Sequence, residues 1–266
     1  MKNDRVLRIV VWVALAVLVL IYILDPTKGM TDPTARQLAK STVLRAAAIP
    51  VLVCCALILR VRLFASPHVR HLALLLPALA VAVDNFPWIE ALTGSATLTG
   101  GNLIGWIVLS VLCIGIMEEL AFRGILLPLL LSRFGKTKRG MFQSVVLSSV
   151  IFGLVHLLNL IEGAGVVPTL LQVGYSMLTG AMLAVLLLGT GNIVGCIAVH
   201  AVFNFGGAAV EYLAEGQVWT VPAIVTTVVL SIFVAAWMIV SFCRMDPQKI
   251  SFFDDTPRKK TTEEGE

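Results

Sequence analysis

What most constrains this chain is a succession of long apolar runs separated by short polar stretches. A membrane-crossing helix needs about 20 mostly apolar residues, and runs of that order recur at about 6–24, 42–60, 71–88, 102–131, 142–161, 167–189, 192–212 and 220–243. They occupy most of the 266 residues, of which 58% are hydrophobic and 14% charged, so nothing of domain size is left for an aqueous core. The expected fold class is all-α, a polytopic membrane protein with about eight transmembrane helices. The function is then expected within the bilayer.

The first run has the basic flank and apolar stretch of a leader peptide. Its apolar part is long, and no small-x-small site precedes Asp25, so it reads as a retained span. The fourth run, at about 1.5 Å per residue over roughly 30 residues, would extend about 45 Å against about 30 Å of hydrocarbon. It must tilt, bend or run along the surface, with Gly124 and Pro128 as the expected places.

Basic residues set the orientation, because cytoplasmic loops carry excess Lys and Arg. Lys2, Arg5 and Arg8 precede the first span, Arg60, Arg62 and Arg70 separate the second from the third, and Arg133, Lys136, Lys138 and Arg139 separate the fourth from the fifth. The opposite loops carry Asp84 and Glu90, then Glu162, then Glu211 and Glu215. Eight spans with both termini in the cytoplasm satisfy this pattern, and the compact loops point to a bacterial plasma membrane. The polar segment after Arg244 reads as a solvated tail. Cys54, Cys55, Cys113, Cys196 and Cys243 fall in apolar runs without metal-type spacing and read as packing residues.

Glu118, Glu119 and Arg123 interrupt the fourth run. Insertion of an ionised side chain at a helix centre costs about 2.5–3.5 kcal/mol, so the three are expected to face protein or trapped water. Glu119 and Arg123, four apart with the acid first, have the spacing of a helical ion pair. Glu118 points about 100° away and has no partner on its own helix. His156 and His200 lie inside two further spans, whereas His68 and His71 flank the third span near basic residues. Phe152 with His156, and His200 with Asn204, are each four apart and share a helix face. A carboxylate, two imidazoles and a carboxamide can activate water and stabilise an oxyanion, and Glu and His are equally ordinary zinc ligands. The spacings Ser149 with Gly153 and Gly191 with Gly195, and the pair Gly206 and Gly207, would let these helices approach closely. Arg45 lies near a span end from which it can snorkel. Gln172, Tyr175 and Ser176 either line a cavity or bond across helices. Ser148, Ser149 and Cys196 are the available nucleophiles, but none lies at a motif position.

In order along the chain, Glu118-Glu119-x-x-x-Arg123, Phe152-x-x-x-His156 and His200-x-x-x-Asn204 give the signature EExxxR, FxxxH, HxxxN. The sequence resembles the CPBP (CAAX protease and bacteriocin-processing, Abi) family of intramembrane proteases, related to the type II CAAX prenyl endopeptidases. The resemblance covers about residues 100–210. It divides the chain into N-terminal helices (1–99), a catalytic core (100–212), a final helix (213–245) and a polar tail (246–266). It implies an all-helical fold with a water-accessible cavity open toward the cytoplasm. It also implies Glu118 as general base, acting on a water with His156, while His200 and Asn204 bind the developing oxyanion; Glu119 and Arg123 hold the helix in register, and Phe152 supports the site. The water is activated either by zinc or another divalent metal, held by Glu118, His156 and His200, or without a metal. HExxH is absent, so the usual helical zinc signature does not decide between them. The implied partner is a membrane-tethered peptide or protein, with prenylated CAAX-type proteins one class of it; no nucleic acid is implied, and the oligomeric state is left open.

Two other classes fit the same residues. Intramembrane Glu and His also build proton relays, as in a proton- or ion-coupled transporter, although no internal repeat is visible. A non-catalytic scaffold or bacteriocin-immunity protein would use the residues for packing alone.

Overall fold

The computed structural model describes residues 25, 27–66, 68–135, 137–161, 163–250 and 252. Six helical segments are long and apolar enough to cross a membrane: Pro33–Leu59, Gly101–Phe134, Lys138–Leu160, Val166–Thr190, Ile193–Tyr212 and Val221–Arg244. The span expected at 6–24 and most of the tail lie outside the described residues. The fold is all-α apart from one small strand pair.

Helix α1 (Pro33–Leu59) starts nine residues before the run expected at 42–60. The cause is local: Asp32 accepts hydrogen bonds from the amides of Thr34 and Ala35, and Pro33 supplies a preset backbone angle at the first helical position. The earlier start puts Arg45 near the middle of α1 rather than at a span end. Just upstream, Asp25 accepts from the Thr27 hydroxyl and from Arg36, which together hold its carboxyl down to about 2.

The run expected at 71–88 forms a shorter helix, α2 (Leu72–Asp84), followed by a six-residue α3 (Trp88–Thr93). At about 1.5 Å per residue α2 rises roughly 20 Å, less than the hydrocarbon thickness. It stops where polar side chains find partners on neighbouring helices. Asp84 Oδ2 accepts from Thr227, and Asn85 Nδ2 donates to the Phe203 carbonyl at 2.7 Å.

The long fourth run resolves into α4 (Ile104–Glu119), a π-helical segment (Leu120–Leu126) and α5 (Leu127–Phe134). The irregularity contains Gly124 and ends just before Pro128. Proline offers no amide to the turn before it, and the wider π turn, with the Leu127 amide bonded to the Phe122 carbonyl, absorbs that defect without breaking the helix.

Next come α6 (Lys138–Val155), which tightens into a 3-10 turn over His156–Leu160, then α7 (Val166–Thr190), α8 (Ile193–Tyr212) and α9 (Val221–Arg244). Gly191, at φ +64°, is the left-handed residue that ends α7. It therefore does not form a packing face with Gly195, contrary to the sequence expectation. At one end of the bundle, β1 (Ala96–Leu98) pairs antiparallel with β2 (Ala214–Gly216). Buried Glu90 accepts from the Thr220 amide and hydroxyl there, at the start of α9. At the opposite end, Lys138 Nζ donates to the carbonyls that close α9, including Cys243 O at 2.9 Å.

The main core gathers buried side chains from α2, the π segment, α6, α7 and α8, among them Leu120, Met141, Leu183, Leu186, Leu187 and Val199. A second cluster joins α1, α4 and α8 through Leu38, Ile107, Val111 and Ala209.

Candidate active site

Close backbone approach brings the chemistry-bearing helices together. A Cβ on Gly115 would lie 3.3 Å from the Ile197 carbonyl and 3.4 Å from the Ala201 amide, so α4 meets α8 with no space for a side chain between them. A Cβ on Gly153 would collide with the Val173 carbonyl and with Met177, which makes the same argument for α6 against α7. Glu118 and Glu119 are thereby set against His200, and Phe152 against Gly180.

Glu119 is fully buried. Its Oε1 accepts from Arg123 Nη1 at 2.8 Å and from His200 Nδ1 at 2.7 Å, while Oε2 has no hydrogen-bond partner among the described residues. Arg123, also buried, donates its other terminal nitrogen to the Gly180 carbonyl at 3.1 Å. Its guanidinium carbon sits 4.3 Å from the centroid of the Phe152 ring, the geometry of a cation–π contact in a site removed from solvent. The helical ion pair expected from spacing is present, and it extends onto α7 and α8.

Glu118 has the partner that its own helix does not supply. Its Oε2 lies 3.6 Å from His200 Nε2, with 19% of the Glu118 side chain exposed against 0% for Glu119. The His200 ring thus stands between two adjacent carboxylates, with Nδ1 at the buried one and Nε2 at the accessible one. The 3.6 Å separation exceeds a direct hydrogen bond and is too short for an oxygen to lie between the two atoms, so a water touching both would sit beside the pair.

His156 begins the 3-10 turn after α6, and its Nδ1 donates to the Phe152 carbonyl at 2.9 Å. In the neutral ring the lone pair then falls on Nε2. The rings of His156 and His200 both meet Phe152 edge to face, at centroid distances of 5.3 and 5.8 Å. Asn204 follows His200 by one turn of α8, is half-buried, and makes no side-chain hydrogen bond among the described residues. Glu118, Glu119, Arg123, Phe152, His156 and His200 are joined by direct contacts, and Asn204 flanks them.

Other sequence candidates are placed apart from this cluster. Cys196 is fully buried with its thiol directed at the Leu183 carbonyl, and Ser148 and Ser149 donate to the Val145 carbonyl, so all three serve packing. Gln172 accepts from Asn159, and the Tyr175 ring lies 5.9 Å from that of Phe203. His68 and His71 lie at the far, basic end of the bundle.

Three contributors carry no sequence signal of their own. The Gly180 carbonyl is a backbone group, the Gly115 contact depends on which helix faces it, and Asn85 reaches α8 across more than a hundred residues of chain.

Among the described residues, no three His, Cys, Asp or Glu side chains are grouped to hold an ion. Glu118 and His200 offer two donors that face each other, and His200 Nδ1 is occupied by Glu119. The residues therefore do not form a closed three-ligand metal site.

Residues 100–206 match the family described as Type II CAAX prenyl endopeptidase Rce1-like. The match spans every one of these site residues and agrees with the resemblance drawn from the three motifs. Comparison with curated proteins and with solved structures gave no match.

Proposed function

Because residues 100–206 carry the Rce1-like segment of the type II CAAX prenyl endopeptidases, we propose that this chain is an intramembrane endopeptidase that hydrolyses a peptide bond of a membrane-associated substrate. The observation that carries the reading is the position of His200 between a sealed carboxylate and an accessible one.

Glu118, the accessible acid, is the general base. It removes a proton from a water held beside it on the accessible side, next to His200, and the resulting hydroxide adds to the scissile carbonyl carbon. His156, whose Nδ1 bond to Phe152 O leaves the lone pair on Nε2, assists from the other edge of the Phe152 ring. Glu119 Oε1 already accepts from Arg123, so it acts as acceptor toward His200 Nδ1 as well. His200 Nε2 faces the accessible side and donates to the oxyanion when the ring carries a proton there. Asn204, one turn on, supplies the second donor. The proton held by Glu118 then passes to the leaving amine, which restores the carboxylate.

Substrates anchored in the lipid, including prenylated CAAX-type C-termini, fit a site built from spanning helices. The distribution of basic residues in the sequence supports both chain ends on the cytoplasmic side of a bacterial plasma membrane. The test is turnover of a prenylated C-terminal peptide and of a library of membrane-tethered peptides by the purified chain. Glu118→Gln and His200→Ala are expected to lose roughly 10²–10⁴-fold in rate. Wild-type turnover in both variants, on a substrate that the unaltered chain cleaves, removes the assignment.

A further inference from the structure

Arg45 is a cation that neither the water-activating residues nor the packing accounts for. It lies in the interior of α1 (Pro33–Leu59), about 18 Å along the axis from the start of the helix and about 21 Å from its end, which is close to mid-membrane. It is half-buried. Among the described residues it makes no hydrogen bond or ion pair, and its charge reaches the buried Cys113 thiol of α4 and the Tyr212 phenol at the end of α8. Glu211, beside Tyr212, is exposed. An ionised side chain at such depth marks a substrate or ion path unless an opposite charge neutralises it.

The helix faces show where Arg45 is directed. Leu38, Thr42, Arg45 and Ile49 recur at steps of three and four and form one stripe of α1. Leu38 packs in one cluster with Ile107 and Val111 of α4, Thr42 is buried, and Ile49 packs against the main core. On α4, Ile107, Val111 and Glu118 recur at steps of four and seven, so Glu118 continues the stripe that meets α1. Both helices run the same way, from the second cluster (Leu38; Ile107 and Val111) to the main one (Ala56; Leu120). Arg45 and Glu118 thus occupy facing stripes at the junction of the two clusters, without forming an ion pair. Cys113, which Arg45 reaches, precedes Glu118 by about 7.5 Å along α4.

We propose that Arg45 binds the C-terminal carboxylate of the peptide substrate while the scissile carbonyl lies at Glu118, an inference that rests on the endopeptidase function. An extended chain covers about 3.3 Å per residue, so the bond cut lies roughly two to four residues from the free end. A guanidinium takes a carboxylate through two parallel N–H···O bonds, which fixes direction as well as affinity. Depth selects the source of the anion. Phospholipid headgroups lie about 15 Å from the membrane centre, whereas a peptide laid along the site carries its terminus inward.

The experiment measures fluorescence anisotropy of one prenylated peptide, prepared as free acid and as C-terminal carboxamide, with the full-length Glu118→Gln chain in detergent, where hydrolysis does not consume the probe. The acid is expected to bind at least about tenfold more tightly than the amide. Adding Arg45→Gln is expected to abolish that preference and Arg45→Lys to keep part of it, with affinity for the amide and melting temperature unchanged. With Glu118 intact, Arg45→Gln should raise KM for the acid and leave kcat near its original value. The acid–amide comparison needs no change at Arg45, so a folding defect in that variant does not obscure it. Equal affinity for acid and amide, or a preference that survives Arg45→Gln, overturns the proposal whatever the cleavage result. An acid preference that depends on Arg45, in a chain that cleaves no peptide, supports the carboxylate site and removes the endopeptidase assignment instead.

Discussion

His200 Nδ1 lies 2.7 Å from Glu119 Oε1, across 81 residues of sequence and between two different helices. That oxygen also takes the Arg123 guanidinium at 2.8 Å, so Glu119 joins α4 to α8 and, through Arg123 and Gly180, to α7. Its neighbour Glu118, one position earlier and about a quarter-turn round the helix, is left toward the accessible side. Two chemically identical side chains thereby have different surroundings, one sealed and hydrogen-bonded on one oxygen, the other accessible.

Glu119→Gln is therefore expected to act on stability first. It keeps the volume but leaves Arg123 buried with only a neutral partner, and breaking a buried pair in this way costs about 3–5 kcal/mol. Thermal unfolding in detergent should show a large drop for Glu119→Gln and little change for Glu118→Gln, since Glu118 has no direct hydrogen bond to lose. Equal melting temperatures for the two variants would contradict this division.

Phe152 touches Arg123 on its face and both imidazoles at its edges. Phe152→Leu removes the cation–π contact and part of the packing, with an expected loss of about 1–3 kcal/mol. The ring orientations of His156 and His200 loosen at the same time. Steady-state assays should then show kcat falling while KM stays near its original value, because the residue supports reacting groups rather than substrate. Phe152→Tyr, which keeps the ring, should recover much of the rate.

Much of this could be read before any coordinates. Apolar run length gave the spans from α4 onward to within a few residues, and the excess length of the fourth run announced the irregularity at Leu120–Leu126. The ion pair Glu119–Arg123 follows from helical spacing. The partner of Glu118 does not, because nothing in a single sequence states which face of α8 meets α4. Helix starts fixed by capping also escaped hydropathy: Asp32 and Pro33 begin α1 within a polar stretch, which moved Arg45 to mid-helix. Likewise α2 ends early because Asp84 and Asn85 bond to α9 and α8, an outcome of tertiary packing.

The arrangement of donors leads to a prediction about metals. With Glu118 and His200 facing each other and Nδ1 of His200 committed to Glu119, a third ligand is not grouped with them. Incubation of active protein with a strong chelator, followed by removal of the chelator, should leave turnover unchanged within about twofold, since water activation here rests on Glu118. Loss of activity that one equivalent of zinc restores, matched by elemental analysis, would refute this.

The last prediction concerns distance rather than chemistry. Gly115 sits one helical turn before Glu118 and Glu119, at the point where α4 touches the backbone of α8. In Gly115→Val the branched side chain must displace Ile197 and Ala201, and overpacking of this sort costs about 1–3 kcal/mol. The greater effect is expected on rate: pushing α8 away moves His200 from both carboxylates, and a misplacement of about 1 Å is enough to lose roughly 10²-fold. Gly105→Ala is the control, because a Cβ there meets nothing within 4 Å, and alanine in a helix is favoured over glycine by about 1 kcal/mol. Melting of the two variants should therefore move in opposite directions, and turnover should fall in Gly115→Val alone. If Gly115→Val cleaves as fast as the unaltered chain, the close approach of α4 and α8 is not what positions the reacting groups.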